Sequence, residues 1–164
     1  MKVDHLLVKD RFGNESIVNS EVGELGCEVF WEFNGNKITK SVINMEKSIL
    51  IPCLSPSHEE IIIVSSSLKG IDPSISAVIF NPDGTVRFYL RPPVLVSGKF
   101  KEYEKKVGKE VAFKSIEFIQ PEIKKVNEKE IVAMWIGFGY DWFEIRELNL
   151  QTGEFGECYG ASRL

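Results

Sequence analysis

Apolar and polar residues alternate with a period of two over much of this chain, which is the signature of half-buried β-strands. In Cys27-Glu28-Val29-Phe30-Trp31-Glu32-Phe33, positions 27, 29, 31 and 33 share one apolar face, and Glu28 and Glu32 point the other way. Asn34-Gly35 follows, then Lys37–Val42. Asn-Gly tolerates positive φ at both central positions, so the pattern predicts a hairpin closed by a type I′ turn. Ile75–Phe80 and Thr85–Arg91 flank Asn81-Pro82-Asp83-Gly84, which predicts a second hairpin. Strict alternation there puts Val86, Phe88 and Leu90 on one face. Pro92-Pro93 ends the ladder, because neither residue can donate a backbone hydrogen bond.

A third hairpin joins Trp142–Leu150 to Phe155–Tyr159 around Gln151-Thr152-Gly153. Its first strand changes phase: Phe143 and Ile145 share one face, Leu148 and Leu150 the other. A β-bulge near Arg146-Glu147 restores the alternation; a strand covered on both faces is the alternative. Val111–Ile119 alternates loosely and reads as strand. Phe100, Tyr103 and Val107 have helical spacing before Gly108, which predicts one short helix near Lys99–Val107. Pro121–Val126 reads as one further helical turn with proline at its start. The expected fold is mainly β: an antiparallel meander forming a sandwich or partly open barrel, with one or two short helices.

Composition narrows the class. The chain has 164 residues, 43% of them apolar and 11% aromatic. That length fits a single domain, 1–164, large enough to bury a core without metal or disulfide support. No apolar run approaches the roughly 18 residues of a membrane helix, and Met1–His5 does not resemble a secretory signal. Cys27, Cys53 and Cys158 are widely spaced and odd in number, which suggests free thiols in a reducing cytoplasm.

The net charge is −4, with a pI near 5.3. Residues 1–35 hold seven acids against three bases, and residues 141–157 hold five acids against one. Residues 99–130 mix nine lysines with seven glutamates, an ordinary solvated face rather than a nucleic-acid footprint. Neither nucleic acid nor membrane is an expected partner.

Few motifs carry chemistry. His5 and His58 are far apart and no paired-cysteine motif occurs, so neither metal nor cofactor is expected. Cys53 precedes His58 by five residues, a spacing that admits a thiolate with its base. Cys53 also reads as the end of a buried strand, Ile49–Cys53, and His58 as a loop residue. The carboxylate pairs Glu59/Glu60, Glu144/Glu147 and Glu154/Glu157 are adjacent or of opposite parity in strands, which separates their faces. Gly137-Phe138-Gly139 leaves a shallow trough beside Trp135, to be filled by a neighbouring ring such as Trp142 or by a ligand.

These features favour a non-catalytic cytoplasmic module that binds another protein, a basic one, through an acidic and aromatic surface. Tyr140, Asp141, Trp142, Glu144, Glu147, Glu154 and Glu157 are the residues expected to form it. Small acidic immunity proteins that neutralise a basic toxin share this physical description, as an analogy of class. The alternative is a small-molecule carrier whose ligand pocket is lined by Trp31, Phe33, Trp135, Gly137, Phe138 and Gly139. A small hydrolase using Cys53 or a carboxylate pair is the third reading.

Overall fold

Two of the strands have no polar position. Ile-Ile-Ile-Val at Ile61–Val64 and Ala-Val-Ile-Phe at Ala77–Phe80 are buried at every residue. Successive side chains of a strand point to opposite faces. A strand that is apolar throughout must therefore be covered on both sides, and that requires three layers.

The computed structural model describes residues 2–18 and 25–164 and contains those three layers. The first sheet holds β1 (Leu7–Lys9), β2 (Glu15–Ile17), β3 (Glu28–Phe33) and β4 (Asn36–Ser41), in the order β2-β1-β3-β4. The middle sheet is the meander β5 (Ile51–Leu54), β6 (Ile61–Val64), β7 (Ala77–Phe80) and β8 (Val86–Tyr89). Two helices follow, α1 (Gly98–Val107) and α2 (Lys109–Lys114). The third sheet is the meander β9 (Glu117–Val126), β10 (Lys129–Phe138), β11 (Trp142–Leu148) and β12 (Phe155–Arg163). Among the described residues all pairings are antiparallel and no sheet closes into a barrel.

Parity sorts the middle sheet between two cores. Ile61 pairs with Phe80 and Ile63 with Val78, and these four pack against Val8, Val29 and Trp31 of the first sheet. Ile62 pairs with Ile79 and Val64 with Ala77, and these face Val132, Met134, Ile136 and Phe138 of the third sheet, with Phe100 and Ala112 from the helices. Fully burying one such isoleucine contributes about 1.5–3 kcal/mol. A single-residue slip of β6 against β7 would exchange the two sets of side chains between cores of different shape.

The first hairpin forms as the sequence predicts: Asn34 and Gly35 have φ of 53° and 76°. Its buried Trp31 donates its indole N–H to the Pro82 carbonyl at 2.7 Å, tying the β7–β8 turn to the first sheet. Helix α1 is also where expected, with Ser97 Oγ accepting from the Phe100 N–H.

Four local readings change. Residues 109–114 are helix α2 rather than the start of a strand: Ala112 is buried, Val111 and Phe113 are exposed, and Lys114 pairs with Glu110 at i, i+4. Pro121–Val126 is strand, because β9 lies at the edge of its sheet, where a proline is tolerated. Asn127 and Glu128, both at positive φ, close its hairpin with β10.

Val86 does not share a face with Phe88 and Leu90. The register passes from Ile79↔Phe88 to Phe80↔Val86, so Arg87 is an extra, bulged residue, and Val86 packs on the opposite core. In β11 the irregularities flank Arg146, but the extra residues belong to β12, where Ala161, Cys158 and Phe155 face Glu144, Arg146 and Leu148. Alternation along β11 itself is intact. The apparent change of phase arises because two inward positions carry Glu144 and Arg146 instead of apolar residues.

Coverage on both faces has a direct test. Ile62→Ala and Ile63→Ala are each expected to lower stability by about 2–4 kcal/mol in urea unfolding. A strand with one solvated face would show a large loss at only one of the two.

Candidate functional site: an acid-lined groove at the end of the third sheet

Among the described residues two carboxylates lie inside the protein, and both are built into hydrogen-bond networks. Glu144 is wholly buried. Its Oε1 accepts from the N–H groups of Val96 and Ser97 at 3.0 and 2.8 Å, and its Oε2 accepts from Arg146 Nη1 at 3.0 Å. Arg146 also donates to the carbonyls of Val94 and Gly156. This pair fastens the segment before α1, together with β12, onto the third sheet. Glu144 is therefore not part of a recognition surface, contrary to the sequence reading.

Glu60 stands just before β6 and is 2% exposed. Its Oε2 accepts from the hydroxyls of Ser55 and Ser57 at 2.6 and 2.9 Å. Its Oε1 accepts from Arg87 Nη1 at 3.0 Å and from Gln151 Nε2 at 3.3 Å. The bulge in β8 places Arg87 here, where its Nε also donates to Asn81 Oδ1 at 2.7 Å. Desolvation pushes the Glu60 carboxyl up, but Ser55, Ser57 and Arg87 outweigh it and hold the group below its ordinary range. The network fixes the β5–β6 loop and joins the middle sheet to the β11–β12 turn.

Glu60, Gln151 and that loop border the largest groove among those described, about 560 Å³. Ile131, Val132, Leu148 and Leu150 give it an apolar floor, and Glu130, Glu147 and Lys129 are its other charged lining residues. Beside it, the Tyr159 hydroxyl lies 3.5 Å from Glu147 Oε2. Its pKa is raised by desolvation first, and then by the negative charges of Glu147 and Glu157. Glu154 and Glu157 are exposed on the same hairpin.

The residues predicted to form one surface thus divide between the two ends of β11. Glu147 lines the groove, and Glu154 and Glu157 are exposed on the hairpin beside it. Tyr140, Asp141 and Trp142 lie at the opposite end, in and after the β10–β11 turn. There Tyr140 is 99% exposed, Asp141 is ion-paired with Arg163, and the half-buried Trp142 ring lies under Lys99 and Arg163 at 4.9 and 5.7 Å. That end is aromatic, but its acid is matched and its ring is flanked by cations.

The residues predicted to line a carrier pocket are not brought together either. Trp31 and Phe33 belong to the core between the first and middle sheets, and Phe138 to the other core. Trp135 lies on the outer face of the third sheet, stacked on Phe143 at 4.3 Å. The glycine trough is filled by the protein itself, with Ile119 against Gly137 and Tyr103 against Gly139, and not by Trp142. Cys53 is buried in the core beside Ile62 and Ile79, and burial pushes its thiol up to about 12, so it is protonated at neutral pH. His58 stands apart from that core and bonds through Nδ1 to the Val3 carbonyl at 2.8 Å. Among the described residues no cluster of histidine, cysteine and carboxylate side chains could hold a metal ion, and no helix is long and apolar enough to cross a membrane.

The sequence shows Glu60 only as half of an adjacent pair, Glu59/Glu60, whose members point to opposite faces of a strand. The usable signals were Ser55 and Ser57, close enough to bind a shared carboxylate, and the fully apolar strand that follows it. Arg87 was not recoverable, because its placement depends on a bulge that alternation conceals. No protein-family model, curated protein or solved structure matches this chain.

Glu60→Gln is expected to cost about 2–3 kcal/mol at pH 7, since a buried carboxylate with charged and hydroxyl donors is lost. A carboxyl held below its ordinary value of 4.5 contributes fully above that value, and the contribution is lost as the pH falls through the folded-state value. The stability gap between wild type and Glu60→Gln should therefore narrow as the pH falls below 4.5 in urea titrations. A gap independent of pH would contradict the assigned charge.

Proposed function

We propose that this protein is a non-catalytic binding module that recognises a basic partner protein through the groove at the end of β11. The observation that carries this reading is the groove's composition: an apolar floor walled by Glu130 and Glu147, beside the exposed Glu154 and Glu157, with Lys129 the one base in its lining. Acidic walls steer a basic partner and an apolar floor supplies contact area. Glu60 serves a different purpose. Its charge is matched by Arg87, and its role is to hold the groove wall in one geometry before any partner arrives.

An inhibitor or immunity type of action, in which this acidic surface covers a basic protein, is the form of the proposal that the charge distribution supports. A cytoplasmic setting belongs to the same reading and agrees with free thiols at Cys27 and Cys53. The carrier reading gains no support, because its rings are distributed over two cores and an outer face.

Glu144 is unsuitable as a surface probe, since replacing it breaks a buried pair. The informative variant is Glu130→Gln with Glu147→Gln, which removes two charges and keeps the side-chain shapes. Tagged wild type should enrich a basic protein from source cells at low salt and lose it at moderate salt. The double variant should enrich markedly less. Equal capture by both proteins would contradict the assignment of the groove.

A further inference from the structure

The groove does not end at Glu130. A second cavity, about 200 Å³, shares Pro56 and Glu130 with it and continues past His58 to Asp4 and His5. A third, about 350 Å³, shares Asp4 and His5 with the second and opens onto Phe30, Glu32 and Lys37 of the first sheet. Through these shared residues the three adjoin as a furrow that runs from the end of the third sheet, past the β5–β6 loop, onto the outer face of the first sheet. Adjacent sheets stack about 10 Å apart, so the path from third sheet to first covers about 20 Å, the span of about six residues of extended chain.

The furrow's walls are fixed before anything binds. Val3 N–H donates to the His58 carbonyl at 2.8 Å, and His58 Nδ1 bonds the Val3 carbonyl in return. His58 holds a φ of 63°, a costly conformation for a residue other than glycine. The Glu60 network secures the other end of the same loop through Ser55 and Ser57. Acids predominate along the whole path: Asp4, Glu32, Glu130 and Glu147 line it in addition to the matched Glu60, against Lys37 and Lys129.

We propose that the furrow accepts an extended segment of the partner protein bearing lysine or arginine side chains, laid from Glu147 past His58 to Asp4 and Glu32. This rests on the reading of the groove as a site for a basic partner, and adds that the partner enters as an extended strand reaching the first sheet. The basic side chains meet carboxylates in all three sections. Pro56, Ile131 and Leu150 supply the apolar contacts between them.

The probe is a nine-residue, end-blocked peptide with lysine at alternate positions, with its glutamate counterpart as control, titrated at low salt into 15N-labelled protein. Three proteins are compared: wild type, Asp4→Asn with Glu32→Gln, and Glu130→Gln with Glu147→Gln. Each must first keep the wild-type urea midpoint. The lysine peptide is expected to shift amides of residues 4–5, 57–58, 130–131 and 147–151 together, and each double variant to weaken it about three- to tenfold. Weakening only by the Glu130/Glu147 variant, with no shifts at residues 4–5, overturns the extended furrow and leaves the groove reading standing. No shifts with wild type at millimolar peptide, or equal binding of the glutamate peptide, overturns both.

Discussion

Everything in this structure depends on a middle sheet whose central strands are buried on both faces. β6 and β7 present one set of side chains to each neighbour, so register within this pair decides the composition of both cores at once. A conventional sandwich has one core and two solvated faces. Here the first and third sheets each have a solvated face, and the central strands of the middle one have none. That arrangement accounts for the order of the chain: a sheet with an outer face, a meander whose central strands are wholly apolar, then a second sheet with an outer face. It also explains why the helices are few and short. They close one margin of the core between the middle and third sheets and are not needed to cover a sheet.

Sheet stacking alone leaves the margins of the layers unconnected, and buried charge makes the connections. Glu144 and Arg146 join the segment before α1 to the third sheet. Glu60 and Arg87 join the β5–β6 loop, the β8 bulge and the β11–β12 turn. No buried side-chain atom of either pair lacks a hydrogen-bond partner, which is the condition under which a buried ion pair is tolerated. The second network also forms the wall of the groove, so the interaction that closes the fold at this margin is the one that shapes the candidate recognition surface.

How much of this the sequence displays depends on the kind of information involved. Alternation and turn chemistry expose the hairpins at Asn34-Gly35, Asn81–Gly84 and Gln151–Gly153, and Phe100, Tyr103 and Val107 expose α1. The apolar runs at residues 61–64 and 77–80 contain the three-layer arrangement, since nothing else covers both faces of such a strand. What is hidden are departures by one residue. The bulge at Arg87 moves Val86 to the other core and aims a guanidinium at Glu60, and no pattern in Thr85–Arg91 marks it. Glu144 and Arg146 look like surface residues because their types are usually exposed, yet they occupy the inward positions of β11. The acidic-aromatic surface divides for a simpler reason: residues 140 to 157 run the length of a strand and back, so closeness in sequence does not become closeness in space.

Native-state hydrogen exchange tests the doubly covered sheet most directly. The account predicts that the amides of Ile62, Ile63, Val78 and Ile79 exchange only through global unfolding, with the same free energy that urea unfolding gives, while β2 and β4 at the margins of the first sheet open at lower cost. Exchange of the β6 and β7 amides through local openings, at rates like those of β4, would contradict it and remove the basis for a three-layer fold.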